Sequence, residues 1–168
     1  MTWEPLDASP LSREEAYRLA RRALEDMISG IEPPPDAVAL MSTLCSLVKT
    51  LQPHVFWVGF YRLAGGRLLV GPYQGTPGCI EISLDRGICG RAARERRPVL
   101  VDDVTADPDH IACDPRSRSE LVLPVFDAAG RLAAVLDLDS DRPAAFDETD
   151  VRALTGMLEL IAPFLSAP

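Results

Sequence analysis

The chain has no apolar run long enough to cross a bilayer, and its start, Met1-Thr2-Trp3-Glu4-Pro5, lacks the charged-then-apolar layout of a secretory signal. It also lacks a basic surplus: 17 Lys and Arg stand against 25 Asp and Glu, for a net charge of −8 and a pI near 4.7. That balance argues against a nucleic-acid or anionic-membrane partner, both of which need a basic face. No internal repeat and no low-complexity segment occurs, and nothing requires a second domain. Cysteine is limited to Cys45, Cys79, Cys89 and Cys113, with no Cys-x-x-Cys pair among them. The missing pair weighs against a zinc site built from His110, Cys113, Cys79 and Cys89, so no metal is expected. What remains is a cytoplasmic chain of 168 residues, long enough to bury a core without disulfide staples. In such a chain cysteines are inert, metal-binding or redox-active.

Ser12-Arg13-Glu14-Glu15 is a capping box and predicts a helix to about Ile28. Its apolar stripe (Tyr17, Ala20, Leu24, Met27, Ile28) is narrow and its other face charged, which places it on a surface or against a partner subunit. Met1 to Leu11 reads as an arm and Glu32-Pro33-Pro34-Pro35 as a stiff connector. A second helix is expected from the N-cap Asp36 to Leu51, with Val38, Met41, Leu44, Cys45, Val48 and Leu51 at helical spacing. Cys45 is therefore read as an inert core residue.

From His54 to Leu63 the period changes from 3.6 to 2, the mark of a strand. Phe56, Val58 and Phe60 are assigned to the core; Trp57, Gly59 and Tyr61 face the other way. That trio either covers the sheet beneath a loop or forms an aromatic recess in which Gly59 leaves room for a ligand. A turn at Ala64-Gly65-Gly66-Arg67 leads to a return strand over Leu68 to Gln74, with Pro72 marking an interruption or an edge. Cys79 stands at the mouth of a short strand ending at Leu84. A helix from Gly87 through Arg97 puts Cys89 near its positive end, where the dipole can lower a thiol pKa.

The stretch His110-Ile111-Ala112-Cys113-Asp114-Pro115-Arg116-Ser117-Arg118-Ser119-Glu120 has neither helical nor alternating apolar period and reads as an ordered surface loop. Cys113, followed by Arg116 and Arg118, sits where positive neighbours would stabilise a thiolate; a buried structural cysteine is the plainer alternative. Beyond it, Leu121–Phe126 and Arg131–Asp139 form a hairpin about Asp127 to Gly130. A regular ladder there makes facing residue numbers add to 257, so Glu120 faces Asp137 and lies diagonal to Asp139. Three carboxylates then share one surface patch, opposite the core side chains Leu121, Leu123, Val125, Ala134, Leu136 and Leu138. Like charges so placed cost stability, which suggests a role. A helix capped at Phe146-Asp147-Glu148-Thr149-Asp150 closes the chain at about Leu165.

This order of elements resembles a GAF domain. More specifically, Trp57-Val58-Gly59-Phe60-Tyr61, Gly71-Pro72-Tyr73-Gln74-Gly75, Cys79, Gly87-Ile88-Cys89-Gly90, His110-Ile111-Ala112-Cys113-Asp114, Ser119-Glu120 and Leu136-Asp137-Leu138-Asp139-Ser140 together resemble the free methionine-(R)-sulfoxide reductases, a catalytic GAF-domain family. The likeness covers about residues 36 to 165 and carries neither the first helix nor Cys45. It implies an α+β fold, with a central antiparallel sheet, the N- and C-terminal helices on one face and a loop-covered ligand pocket on the other. One domain would span residues 1–168, with 1–35 an arm and helix and 36–165 the core.

The implied activity is reduction of free methionine (R)-sulfoxide, with thioredoxin as reductant, no bound cofactor and a homodimeric assembly. By resemblance Cys113 is the nucleophile, Cys79 the resolving thiol and Cys89 a relay or backup, although Cys79 and Cys89 could exchange roles. Crowding among the acids should keep one protonated near neutrality. Glu120 and Asp139 are assigned to the sulfoxide oxygen, Asp137 to the amine, Trp57 and Tyr61 to the methyl-sulfur end, and backbone amides around Ile111 and Ala112 to the carboxylate. A non-catalytic GAF ligand sensor and a thiol redox switch are the rival readings.

Overall fold

Two capping boxes begin the outer helices of the fold. At the first, Ser12 accepts from the Glu15 amide while the Glu15 carboxylate accepts from the Ser12 N–H at 2.9 Å, starting α1 (Arg13–Ile28). At the second, Asp147 and Asp150 do the same for α4 (Glu148–Ile161), and between them Asp36 caps α2 (Ala37–Leu51). These elements belong to a computed structural model that describes residues 10–32 and 34–167. The arm read from Met1 to Leu11 therefore lies outside the described residues as far as Ser9, as does Pro33 of the proline connector.

The remaining elements are β1 (Trp57–Ala64), β2 (Arg67–Gln74), β3 (Glu81–Ser83), α3 (Gly87–Glu95), β4 (Val99–Val101), β5 (Ser119–Phe126) and β6 (Leu132–Ser140). The strands form one antiparallel sheet in the order β3-β2-β1-β6-β5-β4. On one face α1, α2 and α4 cover the larger core, to which β1 contributes Val58 and Phe60, β5 Leu121, Leu123 and Val125, and β6 Ala134, Leu136 and Leu138. The opposite parity supplies a smaller core of Trp57, Tyr61, Val122 and Val135 with Ile82, Ile88 and Cys89, covered by α3 and the loops. The fold is the α+β arrangement expected from the sequence, with the N- and C-terminal helices on one face of an antiparallel sheet and loops over the other. No helix among the described residues is long and apolar enough to cross a membrane.

Several local expectations change. α1 buries Tyr17, Ala20 and Leu24 against α2 and α4, so its stripe is used within the chain. Val38 is 53% exposed on the outer side of α2, and Leu40 and Leu47 are buried instead. Phe56 precedes β1 and packs with the smaller core, because the strand alternation begins only at Trp57. α3 stops at Glu95, where Arg96 takes a left-handed conformation (φ 54°) ahead of Pro98. Pro72 sits in a bulge: the pairs Gly59↔Tyr73 and Tyr61↔Val70 leave Gly71 and Pro72 opposite Phe60, where a missing amide donor is tolerated.

The β5–β6 hairpin departs from the regular ladder. Glu120 pairs with Asp139, Leu121 with Leu138 and Val122 with Asp137, so Glu120 faces Asp139 directly and Asp137 is its diagonal neighbour. The turn supplies the first step, with Gly130 at φ 72° and the Asp127 N–H bonded to the Arg131 carbonyl. Ala133 supplies the second, as the extra residue between Phe126↔Leu132 and Val125↔Ala134. Two single-residue steps restore parity, so from Val125 and Ala134 away from the turn the side chains keep their predicted faces while their cross-strand partners change; Leu132, on the turn side of the bulge, packs with the smaller core.

Candidate functional site

Pairing across β1, β6 and β5 places Trp57, Asp139 and Glu120 in one row on the smaller-core face, with Gly59, Asp137 and Val122 in the next. The carboxylates are not the surface patch that the sequence suggested: Glu120 and Asp137 are each only 6% exposed, beneath α3 and the loops. Burial disfavours their charged forms. It pushes Glu120 well above the usual carboxylate range, with repulsion from Asp137 and then Asp139 adding to it. Asp137 rises likewise through burial and Asp139, and its Oδ1 has no hydrogen-bond partner among the described residues. Asp139 rises to about 6, chiefly by burial, although a hydrogen bond from Ser117 acts in the other direction. The trio thus holds protons near neutrality and can donate them.

Cys89 lies in the first turn of α3, yet its thiol is not made acidic. It is 3% exposed, and burial followed by the facing charges of Asp137 and Glu120 pushes its pKa well above the ordinary value, outweighing the helix dipole. Its sulfur and one oxygen each from Glu120 and Asp137 lie within 4.8 Å of one another, one ligand short of the four that a structural zinc site takes. The zinc set considered from the sequence is not assembled, since Cys79 and Cys113 bond to each other.

That disulfide joins residues 34 apart in sequence with Cα atoms 5.4 Å apart. The loop carrying Cys113 is closed at its neck by the Val104 N–H on the Arg118 carbonyl at 2.9 Å. Its tip is pinned to the segment leading into Cys79: the Thr76 hydroxyl donates to Asp114 at 2.7 Å, and Arg116 donates to both Asp114 (2.7 Å) and Thr76 (3.1 Å) while lying over the Phe56 ring. These bonds hold the Asp114 carboxyl well below its usual range. Arg116 is thus spent on Asp114, and Arg118 points toward Asp103 at 3.6 Å. Neither serves as the thiolate-stabilising neighbour that their spacing from Cys113 suggested. The carboxylates capture them because an ionised oxygen is a stronger acceptor for a guanidinium than a sulfur.

The expected backbone cradle for a carboxylate is also reduced. The Cys113 N–H donates to the Ile111 carbonyl at 2.8 Å, and Ala112 is exposed. Ile111 does line the pocket, as does His110, whose Nε2 is 3.9 Å from the Glu120 carboxylate. Burial lowers the His110 pKa, so this imidazole is neutral at physiological pH. Sequence reasoning weighed His110 only as a zinc ligand and gave Ser117 no role. His110 was visible as a motif residue, whereas Ser117 carried no signal until the fold set it beside Asp139.

The wall opposite is aromatic. Trp57 is stacked between Tyr61 (centroids 6.0 Å) and Tyr73 (5.5 Å), with its indole N–H on the Thr76 carbonyl at 2.9 Å. Gly59 does not leave a void for ligand. A Cβ there would come within 2.5 Å of both the Trp57 ring and the Tyr73 Cβ, so glycine is what lets the indole lie across the strand. A Cβ at Gly78 would come to 3.1 Å from both the Trp57 ring and the Tyr61 hydroxyl. Burial, aided by Asp137, raises the Tyr61 phenol, which therefore keeps its proton. Cys113, Asp137 and Asp139 line two adjoining cavities: one of about 30 Å³ shared with Glu120 and His110, the other of about 20 Å³ shared with Trp57 and Tyr61.

A sulfur, a proton-bearing carboxylate trio and an aromatic wall therefore converge on one recess. Comparison with known proteins points the same way. The GAF domain family matches residues 36–166. Protein ZMO0507 of Zymomonas mobilis is 40% identical over 154 residues, covering 92% of this chain and 94% of the relative. The free methionine-R-sulfoxide reductase of Saccharomyces cerevisiae is 32% identical over 161 residues, covering 92% and 88%. The X-ray structure of free methionine-R-sulfoxide reductase from Neisseria meningitidis, in complex with its substrate, superimposes with a TM-score of 0.85 at 36% identity, covering 94% of this chain and 92% of that one.

Proposed function

Since the chain belongs to the GAF-domain family and its relatives include free methionine-R-sulfoxide reductases, we propose that it reduces free L-methionine (R)-sulfoxide to L-methionine. The observation that carries this reading is the Cys79–Cys113 pair opening, through Cys113, onto the cavities lined by Asp137 and Asp139. Simple ligand binding needs neither a thiol pair nor buried acids.

In the reduced protein the Cys113 thiolate attacks the sulfoxide sulfur while the Glu120 and Asp139 pair supplies one proton to the oxygen, which passes to Cys113. Methionine leaves, and the oxygen remains on Cys113 as a sulfenic acid. Cys79 then attacks the Cys113 sulfur, water departs, and the disulfide forms. Cys89, buried and held protonated, stands behind the acids as a reserve thiol. Asp137 holds the substrate ammonium, Trp57 and Tyr61 the methyl-sulfur end, and the Ile111–Ala112 backbone the carboxylate. A free amine and a free carboxylate are thus both read, which excludes methionine within a polypeptide. Because the trio titrates as a coupled unit, the proton belongs to the cluster before it belongs to one residue.

The cycle closes when thioredoxin reduces the disulfide, with no bound cofactor. The same reading makes the protein a cytoplasmic homodimer, one domain per chain with its core over residues 36–165, engaged in repair of oxidised methionine. The test is NADPH consumption with thioredoxin and its reductase, offering the free (R) sulfoxide, the (S) epimer and an N-blocked (R) substrate. Turnover of the free (R) form alone is the expected result. No turnover of any of them, with fold intact and thiols reduced, would replace this reading with a small-ligand sensor.

A further inference from the structure

Beneath α3 the recess holds a donor set that the reaction cycle does not use as a set. The Cys89 sulfur comes from the first turn of the helix, and the Glu120 and Asp137 oxygens come from β5 and β6. Three separate elements thus bring ligand-type atoms within 4.8 Å of one another, and all three residues are buried. One of those side chains is also left without a donor. Asp137 is 6% exposed, its Oδ1 has no hydrogen-bond partner among the described residues, and it lines the cavity of about 30 Å³ shared with Cys89, Glu120 and His110. A buried carboxylate oxygen that nothing donates to costs free energy. The cavity beside it has room for an ion or a water molecule.

The donor types narrow the choice of ion. Magnesium and calcium want all-oxygen shells, and here one of the three donors is a sulfur. Zinc accepts thiolate and carboxylate together, and in open sites it takes three protein ligands and keeps its fourth position for water. Around a tetrahedral zinc with bonds of about 2.0–2.3 Å the ligand atoms stand about 3.3–3.8 Å apart, so the trio must draw in by at most about 1.5 Å. Rotation of two carboxylate side chains covers that distance. The charge of the metal then takes the place of the protons that otherwise neutralise these buried ligands.

We propose that Cys89, Glu120 and Asp137 form a site for a zinc ion whose occupation excludes sulfoxide from the recess. The site stands on the geometry of the donors. Only the exclusion rests on the reductase reading, because a bound metal withdraws Glu120 and Asp137 from the substrate. Cys79 and Cys113 supply no ligand, so the site is complete while they are joined to each other. Zinc is therefore a reversible inhibitor that oxidises and consumes no thiol.

The test uses protein oxidised to the Cys79–Cys113 disulfide, in which Cys45 and Cys89 are the free cysteines. Cobalt(II) is titrated in without oxygen as the spectroscopic stand-in for zinc, and zinc affinity is measured by competition with a chromophoric chelator. One equivalent of cobalt is expected to raise a thiolate-to-cobalt charge-transfer band, and one equivalent of zinc to abolish it. Cys45 lies in the larger core on the other face of the sheet, so Cys45→Ser should keep the band, which assigns it to Cys89 whether or not a Cys89 variant folds. Cys89→Ser should remove the band, and both it and Asp137→Asn should weaken zinc binding by about tenfold or more, the scale of disturbing a metal's ligands. No band in the wild type, a band lost in Cys45→Ser, or zinc affinity that Cys89→Ser and Asp137→Asn leave unchanged overturns the site and makes the binding adventitious. Free methionine (R)-sulfoxide added to the cobalt form should remove the band, and a band that withstands it overturns the exclusion. Turnover is read separately on metal-free protein, so a failure here is distinguishable from a failure of the reductase assignment.

Discussion

Replacing Asp139 by Asn should make the protein more stable at neutral pH while making it a poorer catalyst. In the fold the Asp139 carboxyl rises from 3.8 to about 6, chiefly by burial. A shift of that size, at about 1.4 kcal/mol per unit, corresponds to about 3 kcal/mol. The sign follows from proton counts. Between about pH 4 and about pH 6 the unfolded chain has released the Asp139 proton and the native state retains it, so the unfolded state binds fewer protons. Stability therefore falls as pH rises through that window and is level above it. Asn cannot ionise, keeps an oxygen to accept from Ser117, and removes one of the charges that raise Glu120 and Asp137. Urea unfolding at 25 °C, with both proteins in the same thiol state, should give nearly equal stabilities at pH 4 and an advantage to Asp139→Asn of up to about 3 kcal/mol at pH 7.5. Turnover should fall by about a hundredfold or more, the scale of losing a positioned proton donor. A variant less stable than wild type at pH 7.5, or a difference that does not change between pH 4 and pH 7.5, would refute the account of a strained, proton-holding cluster.

Cys113→Ser should abolish turnover, and Cys79→Ser should leave a sulfenic acid on Cys113 that dimedone labels after a single turnover; labelling of Cys89 instead would reassign the nucleophile. Gly59→Ala should displace the Trp57 indole, shift its fluorescence to the red and cost about 1–3 kcal/mol through overpacking, so wild-type emission and stability would contradict the packing described. Asp150, fully buried, accepts from Tyr17 and Arg13, each at 2.8 Å, and ties α1 to α4 on the face opposite the recess. Burial acts to raise its pKa, but the His54 imidazole 3.3 Å away, with hydrogen bonds from the Asp147 amide and Tyr17, outweighs it and holds it below the usual value. Asp150→Ala should therefore cost about 3 kcal/mol with turnover retained, and the wild-type advantage should be present above the unfolded carboxylate pKa and shrink as pH falls through the lower folded one. Urea unfolding from pH 3 to pH 7 checks both the size and the slope.

How far the sequence carries can be followed along β5 and β6. The alternation that puts Leu121, Leu123, Leu136 and Leu138 on one face, and Glu120, Asp137 and Asp139 on the other, is a period-two property of each strand by itself, and it survives both irregularities of the hairpin. The capping boxes at Ser12 and Asp147 are similarly local, each contained within four residues. The resemblance of the motif string to a known family is what brought Cys79, Cys113 and the acids into one expectation. Tertiary structure decided what depends on neighbours distant in sequence. Glu120 meets Asp139 because Gly130 and Ala133 each shift the ladder by one residue, which no strand pattern encodes. The acids are buried because α3 and two loops close over them, turning a surface patch into a proton store. Arg116 and Arg118 look like partners of Cys113 along the chain, but Asp114 and Asp103 capture them in space. Gly59 is small for the indole of Trp57 and the Cβ of Tyr73, two contacts that exist only once β1 and β2 are paired and the ring is laid down. Periodicity and caps are determined by residues a few positions apart and are legible in order; register, burial and ion-pair choice depend on layers meeting, and only the folded chain supplies them.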